Sequence, residues 1–117
     1  MTEIKRHQSD TRLSRVVTYN GVAYLAGLPA DNRSAAIKGQ TEEVLKKIDA
    51  LLTLAGTSKS RLLSATVYVS DMRLKPQMDE AWLAWVEAGN VPARARVEAR
   101  LGTPDTLVEI MVVAAQP

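Results

Sequence analysis

The stretch "LVEIMVVAA", Leu107 to Ala115, limits the fold more than any other part of this 117-residue chain. Its Leu, Val, Ile and Met content suits a strand. Read at a period of two it is apolar on both sides, except at Glu109. A strand with two apolar sides needs cover on both. An ionised carboxylate in such a run is costly unless it has a partner or a raised pKa. Glu109 is therefore either an edge or interface carboxylate paired with an arginine, or a catalytic or water-positioning acid.

The rest of the chain supplies the cover for one side only. Leu13 to Tyr19 alternates loosely and is followed by Asn20-Gly21 and "VAYLAG", which predicts a hairpin ending at Gly27, because Asn and Gly tolerate the positive φ of a type I′ turn. Ser34 is placed to cap a helix. On that helix Ile37, Val44, Leu45, Ile48, Leu51, Leu52 and Ala55 share a face, and Gly56 stands where a left-handed C-terminal cap is needed. Leu62 to Val69 reads as a strand. A second helix starts near Pro76 and ends before Gly89, with Met78, Trp82 and Trp85 as a core stripe. In the last quarter the turn "GTPDT" separates two strands. The first carries Ala95, Val97, Ala99 and Leu101 on one side and Arg94, Arg96, Glu98 and Arg100 on the other, the pattern of a half-buried strand. The order two strands, helix, strand, helix, two strands predicts one α+β domain over residues 1–117, a sheet with two helices on one face. The other face of Leu107–Ala115 then falls to another subunit, so an oligomer is expected.

Several function classes drop out. The chain has no Cys and a single His, His7, in a polar N-terminal segment. That leaves no disulfide, thiol nucleophile, cysteine-ligated metal or Ser–His dyad to assemble, and there is no glycine-rich phosphate loop. Net charge is +2 with the basic residues scattered, so no nucleic-acid partner is expected. No apolar run reaches the ~18 residues of a membrane span, and MTEIKRHQSD lacks an apolar signal core, so the expected location is the cytoplasm. Chemistry must come from carboxylates, guanidiniums, backbone groups and water, with neither cofactor nor metal.

Arg94, after a Pro-Ala pair, is either a solvated strand-start residue or a planar fork for a small carboxylate. If the last two strands form a hairpin pairing Leu101 with Leu107, Arg94 lies opposite Ala114. Glu109 is then five positions away, about 17 Å along the strand. One small ligand cannot touch both, so a shared site requires Arg94 of one subunit to face Glu109 of another.

Five segments carry a family resemblance: "NGVAYLAGLP" (Asn20 to Pro29), "GQTEEVLKKIDALLTLAG" (Gly39 to Gly56), "LLSATVYVSDM" (Leu62 to Met72), "AWLAWVEAGNVPAR" (Ala81 to Arg94) and "VEIMVVAA" (Val108 to Ala115). Together they resemble the reactive intermediate deaminase (RidA/YjgF/UK114) family, in its YoaB-like branch. The resemblance implies a chorismate-mutase-like fold of the bacillus type, one mixed sheet with two helices on one face, assembled as a homotrimer with sites at subunit interfaces. It implies hydrolysis of 2-imino or 2-enamino acids, such as 2-aminoacrylate, to 2-oxo acids and ammonia, without cofactor or metal. By position Arg94 resembles the arginine that binds the substrate carboxylate, Glu109 the glutamate that positions or activates water, and Gly27 the glycine lining the pocket. The better-known branch has a pocket tyrosine where Leu13 stands, Ser-Gly-Gln where Ala26-Gly27-Leu28 stands, cysteine at Arg96 and asparagine at Asp79. Arg96 is either a salt-bridge partner for a nearby carboxylate or a second anion contact favouring a dicarboxylic substrate. The functions in play are thus an imine deaminase and a non-catalytic trimer binding a small carboxylate at its clefts. The nuclease or translation-inhibitor role sometimes attached to the family finds no basic patch or histidine pair here.

Overall fold

Asn20 and Gly21 take φ values of 53° and 77°, the left-handed pair that a two-residue type I′ turn requires. In the computed structural model, which describes residues 3–117, they join β2 (Ser14–Tyr19) to β3 (Val22–Leu25) as expected. An additional strand, β1 (Lys5–Ser9), pairs with β2. Its sequence KRHQS has no apolar alternation to announce it, and it lies at the sheet edge where neither side must be apolar. A two-residue strand, β4 (Leu28–Pro29), follows. Then come α1 (Ile37–Leu54), β5 (Leu62–Val69), α2 (Lys75–Trp85), β6 (Ala93–Glu98) and β7 (Val108–Ala115).

Helix α1 buries its whole expected apolar stripe, from Ile37 to Ala55. Its C-terminus closes as a Schellman motif: Gly56 has φ 76°, Thr57 N–H donates to Leu52 O at 2.9 Å and Gly56 N–H to Thr53 O at 3.0 Å. The N-terminus differs from expectation. Ser34 does not cap it; the Ncap is Ala36, with no side-chain acceptor. Ser34 Oγ instead donates to Asn32 Oδ1 at 2.7 Å, because the chain needs two more residues to reach the start of the apolar stripe. Gln40, fully buried, steadies the approach: its Nε2 donates to the carbonyls of Arg33, Ala35 and Asp105, and its Oε1 accepts from Leu107 N–H.

The sheet order is β1-β2-β3-β7-β5-β6, with β4 also pairing β7. The expected hairpin of the last two strands does not form. β6 instead runs parallel to β5, with Ala65 opposite Arg94, after a crossover through α2. β7 enters the middle of the sheet, antiparallel to β5 and to β3, and Leu107 O accepts from Ser70 N–H rather than facing Leu101. A strand as apolar as β7 gains most burial at the centre, and the charged β6 loses least at the edge.

Val108, Ile110, Val112 and Ala114 of β7 join Val16, Ala23, Leu25, Val67 and Val69 beneath the helices, all buried. Met78 and Trp82 of α2 are buried with them. Both helices lie on this one face, as expected. The opposite face, which includes Tyr24, Tyr68, Val97, Glu109, Met111 and Val113, has no cover; Tyr24 is 48% and Met111 38% exposed. The alternation in β6 is real but inverted. Val97 is on the open side and 39% exposed, while Arg94 and Arg96 turn toward α2, whose nearest residue is the carboxylate Asp79. No helix among the described residues is long and apolar enough to cross a membrane.

Candidate active site

The arginines of β6 meet α2 in a compact polar cluster. Arg94 lies over the ring of Trp82, 5.2 Å from guanidinium carbon to ring centroid, within cation–π range. Asp79 is within reach of both arginines but is not shared equally. Arg96 Nη1 donates to its two oxygens at 2.5 and 2.7 Å, whereas Arg94 Nη1 stands at 3.5 Å from Oδ1, at the outer limit of a useful bond. Arg94 therefore keeps most of its donors for something else. They face a groove of about 320 Å³ walled by Trp82, Leu83, Val91 and Pro92, with Asp79 at its side.

Glu109 is built differently. Its strand position pairs with Tyr68 of β5 on one side and Pro29 of β4 on the other, and its side chain emerges on the open face. The turn before β4 brings Gly27 against the carboxylate: a Cβ there would sit 2.5 Å from Glu109 Oε2. Any larger residue there would push the Glu109 carboxylate out of this position. Gly27, Tyr68, Arg100, Leu101 and Met111 surround Glu109 in an open concavity of about 550 Å³. Gly27 also borders a neighbouring groove with Leu13, Arg12 and Arg15. There the Asp10 side chain accepts the backbone N–H groups of Arg12 (2.7 Å) and Leu13 (2.9 Å). These two bonds hold the Asp10 carboxyl below its ordinary value.

Of the residues singled out in the sequence, Glu109, Gly27 and Leu13 gather on one side of the molecule, and Arg94 and Arg96 on the other. Arg94 shares its cross-strand row with Ala65 and Val112, residues whose side chains lie under the helices. Glu109 is three positions along and projects from the opposite face. Two strand spacings across and three residues along place the two Cα atoms roughly 14 Å apart. This replaces the separation inferred from the absent hairpin, yet keeps its consequence: within one chain the two side chains cannot reach a common small ligand. Arg96 stands in a salt bridge, the first of its two readings. Alternation groups Arg100 with Arg94, but β6 ends at Glu98 and Arg100 lines the Glu109 concavity instead. Trp82 read as core and is also the platform for Arg94; only the parallel β5–β6 pairing reveals that second contact. Among the described residues no group of three His, Asp or Glu side chains converges to hold a metal.

The same chain organisation occurs in known proteins. Residues 3–116 match the family described as Endoribonuclease L-PSP. A RutC family protein from Haemophilus ducreyi is 45% identical over 113 residues, covering 96% of both chains. The RutC family protein YoaB of Escherichia coli is 41% identical over 112 residues, covering 96% of this chain and 97% of its own. The crystal structure of a YjgF family member from Neisseria meningitidis superposes with a TM-score of 0.96 at 38% identity, over 99% of this chain and 97% of that one.

Proposed function

The chain belongs to the RidA/YjgF family, among its YoaB-like members, and from that premise we propose that it is an imine deaminase. It hydrolyses 2-imino or 2-enamino acids to 2-oxo acids and ammonia, at sites formed between copies of the chain in a homotrimer. Arg94 of one copy binds the substrate carboxylate and Glu109 of a neighbour serves the attacking water. The observation that carries this reading is the pair of half-sites on opposite faces. One is a guanidinium fork over the Trp82 ring whose only side-chain acceptor among the described residues, Asp79, stands at 3.5 Å. The other is a carboxylate set in an uncovered apolar face beside a glycine. Each lacks what the other has.

The chemistry asks for little more. The imine carbon is already electrophilic, so orientation and proton transfer suffice. Arg94 fixes the carboxylate by paired charge-assisted bonds. Glu109 accepts a proton as water attacks C2; the C–O bond forms, the C=N π pair moves to nitrogen, and Glu109 passes that proton on to the nitrogen. Loss of ammonia from the carbinolamine, with the hydroxyl proton returned through Glu109, gives the 2-oxo acid. No redox step arises, and Arg94, Glu109 and water fill every role in this reading.

The test is a competition assay in which an amino-acid oxidase generates 2-imino acids in the presence of semicarbazide. The protein suppresses semicarbazone formation, and Arg94→Ala and Glu109→Gln abolish the suppression. If wild type suppresses nothing with any precursor, the enzyme reading falls. The apolar turn Ala26–Leu28 beside Glu109 would then favour a trimer that only binds a small carboxylate.

A further inference from the structure

Three charged groups meet beside the Arg94 groove, and their arithmetic restricts what can enter. Arg94 and Arg96 bring two positive charges and Asp79 one negative, leaving a single uncompensated cation. The geometry assigns it: Asp79 is committed to Arg96 through both oxygens, so the free charge sits on Arg94. One incoming carboxylate neutralises the cluster. A second would find Arg96 already occupied and would meet Asp79, a like charge in a partly desolvated setting. On this chain's half of the site, the groove walls beyond Arg94, namely Leu83, Val91 and Pro92, offer a second carboxylate no donor side chain and suit a hydrocarbon substituent instead.

We infer that Asp79 is a specificity-determining residue: by holding Arg96 it limits the groove to 2-imino acids with one carboxylate and an apolar side chain. The inference rests on Arg94 being the carboxylate-binding fork, and it adds the substrate class. Arg96 relies on Asp79 for its side-chain hydrogen bonds: Nη1 donates to both carboxylate oxygens, and its buried Nε has no partner among the described residues. Removing the Asp79 charge leaves a partly buried guanidinium without its acceptor, so a second ligand carboxylate becomes its best partner.

The decisive measurement is binding of the unreactive products, 2-oxobutanoate with one carboxylate and 2-oxoglutarate with two, by calorimetry on wild type, Asp79→Asn and the double variant Asp79→Asn/Arg96→Gln. Wild type is expected to favour 2-oxobutanoate. In Asp79→Asn the preference shifts toward 2-oxoglutarate by at least about tenfold, the worth of one charge-assisted bond, and in the double variant that gain disappears. Thermal melts accompany each protein, and Asp79→Ser is substituted if the Asn variant is unfolded. An unchanged ratio in a folded Asp79 variant overturns the inference, as does wild-type preference for the dicarboxylate or a gain that survives loss of Arg96. Binding of neither acid by wild type removes the Arg94 fork and the inference with it. Selective binding without semicarbazone suppression sinks only the deaminase reading and leaves the inference standing.

Discussion

A methyl group at position 27 would sit 2.5 Å from Glu109 Oε2. The end of a glutamate side chain can swing away, so Gly27→Ala should cost the fold little while displacing the carboxylate from its place. We expect Gly27→Ala to melt close to wild type but to lose about tenfold or more in turnover, since misplaced catalytic groups are costly; a thermal melt beside the semicarbazide assay checks both. Asp10 makes a pH prediction on the same scale. Its carboxyl is held below the ordinary 3.8 by the backbone N–H groups of Arg12 and then Leu13. A depressed folded-state pKa means the stabilisation is present above the unfolded value and is lost as pH falls through the folded one. The Arg12 and Leu13 amide resonances should therefore titrate with a midpoint below the ordinary 3.8. A midpoint above that value would contradict the assignment.

Among the elements, the segment from Arg100 to Leu107 matters most, because it carries Arg100 to the Glu109 concavity and delivers β7 to the sheet centre. It has no regular structure of its own. Gln40 of α1 fixes it from within, receiving Leu107 N–H at 3.0 Å and donating to Asp105 O at 3.0 Å. Gln40→Leu keeps volume but orphans several buried backbone groups, and it should destabilise by at least about 2 kcal/mol. Urea unfolding measures this, and a loss within error would mean water replaces the glutamine. Helix α2 has a comparable double duty. Its buried side packs Met78 and Trp82 into the core, while Trp82 also supports Arg94 and Asp79 engages Arg96. A single element thus links the core to the candidate carboxylate seat, which is why its stripe reads as ordinary packing.

At the scale of the whole molecule, the proposed function turns on the sheet face without helices. Tyr24, Val97 and Met111 are each more than a third exposed there, an apolar surface around one carboxylate, and such a surface marks an interaction site. On the proposed trimer, Met111→Glu should keep the circular dichroism of the fold, sediment as a smaller species and lose activity; an unchanged sedimentation coefficient would count against this face as the interface. The shared site allows a sharper test. Arg94→Ala and Glu109→Gln, each inactive alone, should recover about one quarter of wild-type activity when unfolded and refolded together at equal ratio, because random assembly reunites intact halves at that frequency. No recovery would place both residues' work within one chain.

The residues themselves determined the elements whose signals are local: the Asn20-Gly21 turn, the apolar stripe of α1 with its Gly56 cap, β5, the Met78–Trp82 side of α2, and the central apolar strand with its isolated Glu109. Each follows from backbone preference or a burial period within one stretch, which neighbouring residues suffice to specify. Tertiary structure alone decided which strands are neighbours. It sent β6 to a parallel place beside β5, turned its arginines inward to Asp79 and Trp82, added the polar edge strand β1, and set Arg94 and Glu109 on opposite faces. Those outcomes depend on competition for the sheet centre and on charge pairing between residues distant in the chain. Periodicity can say that two sides of a strand differ, but the elements packed against the strand settle which side is covered.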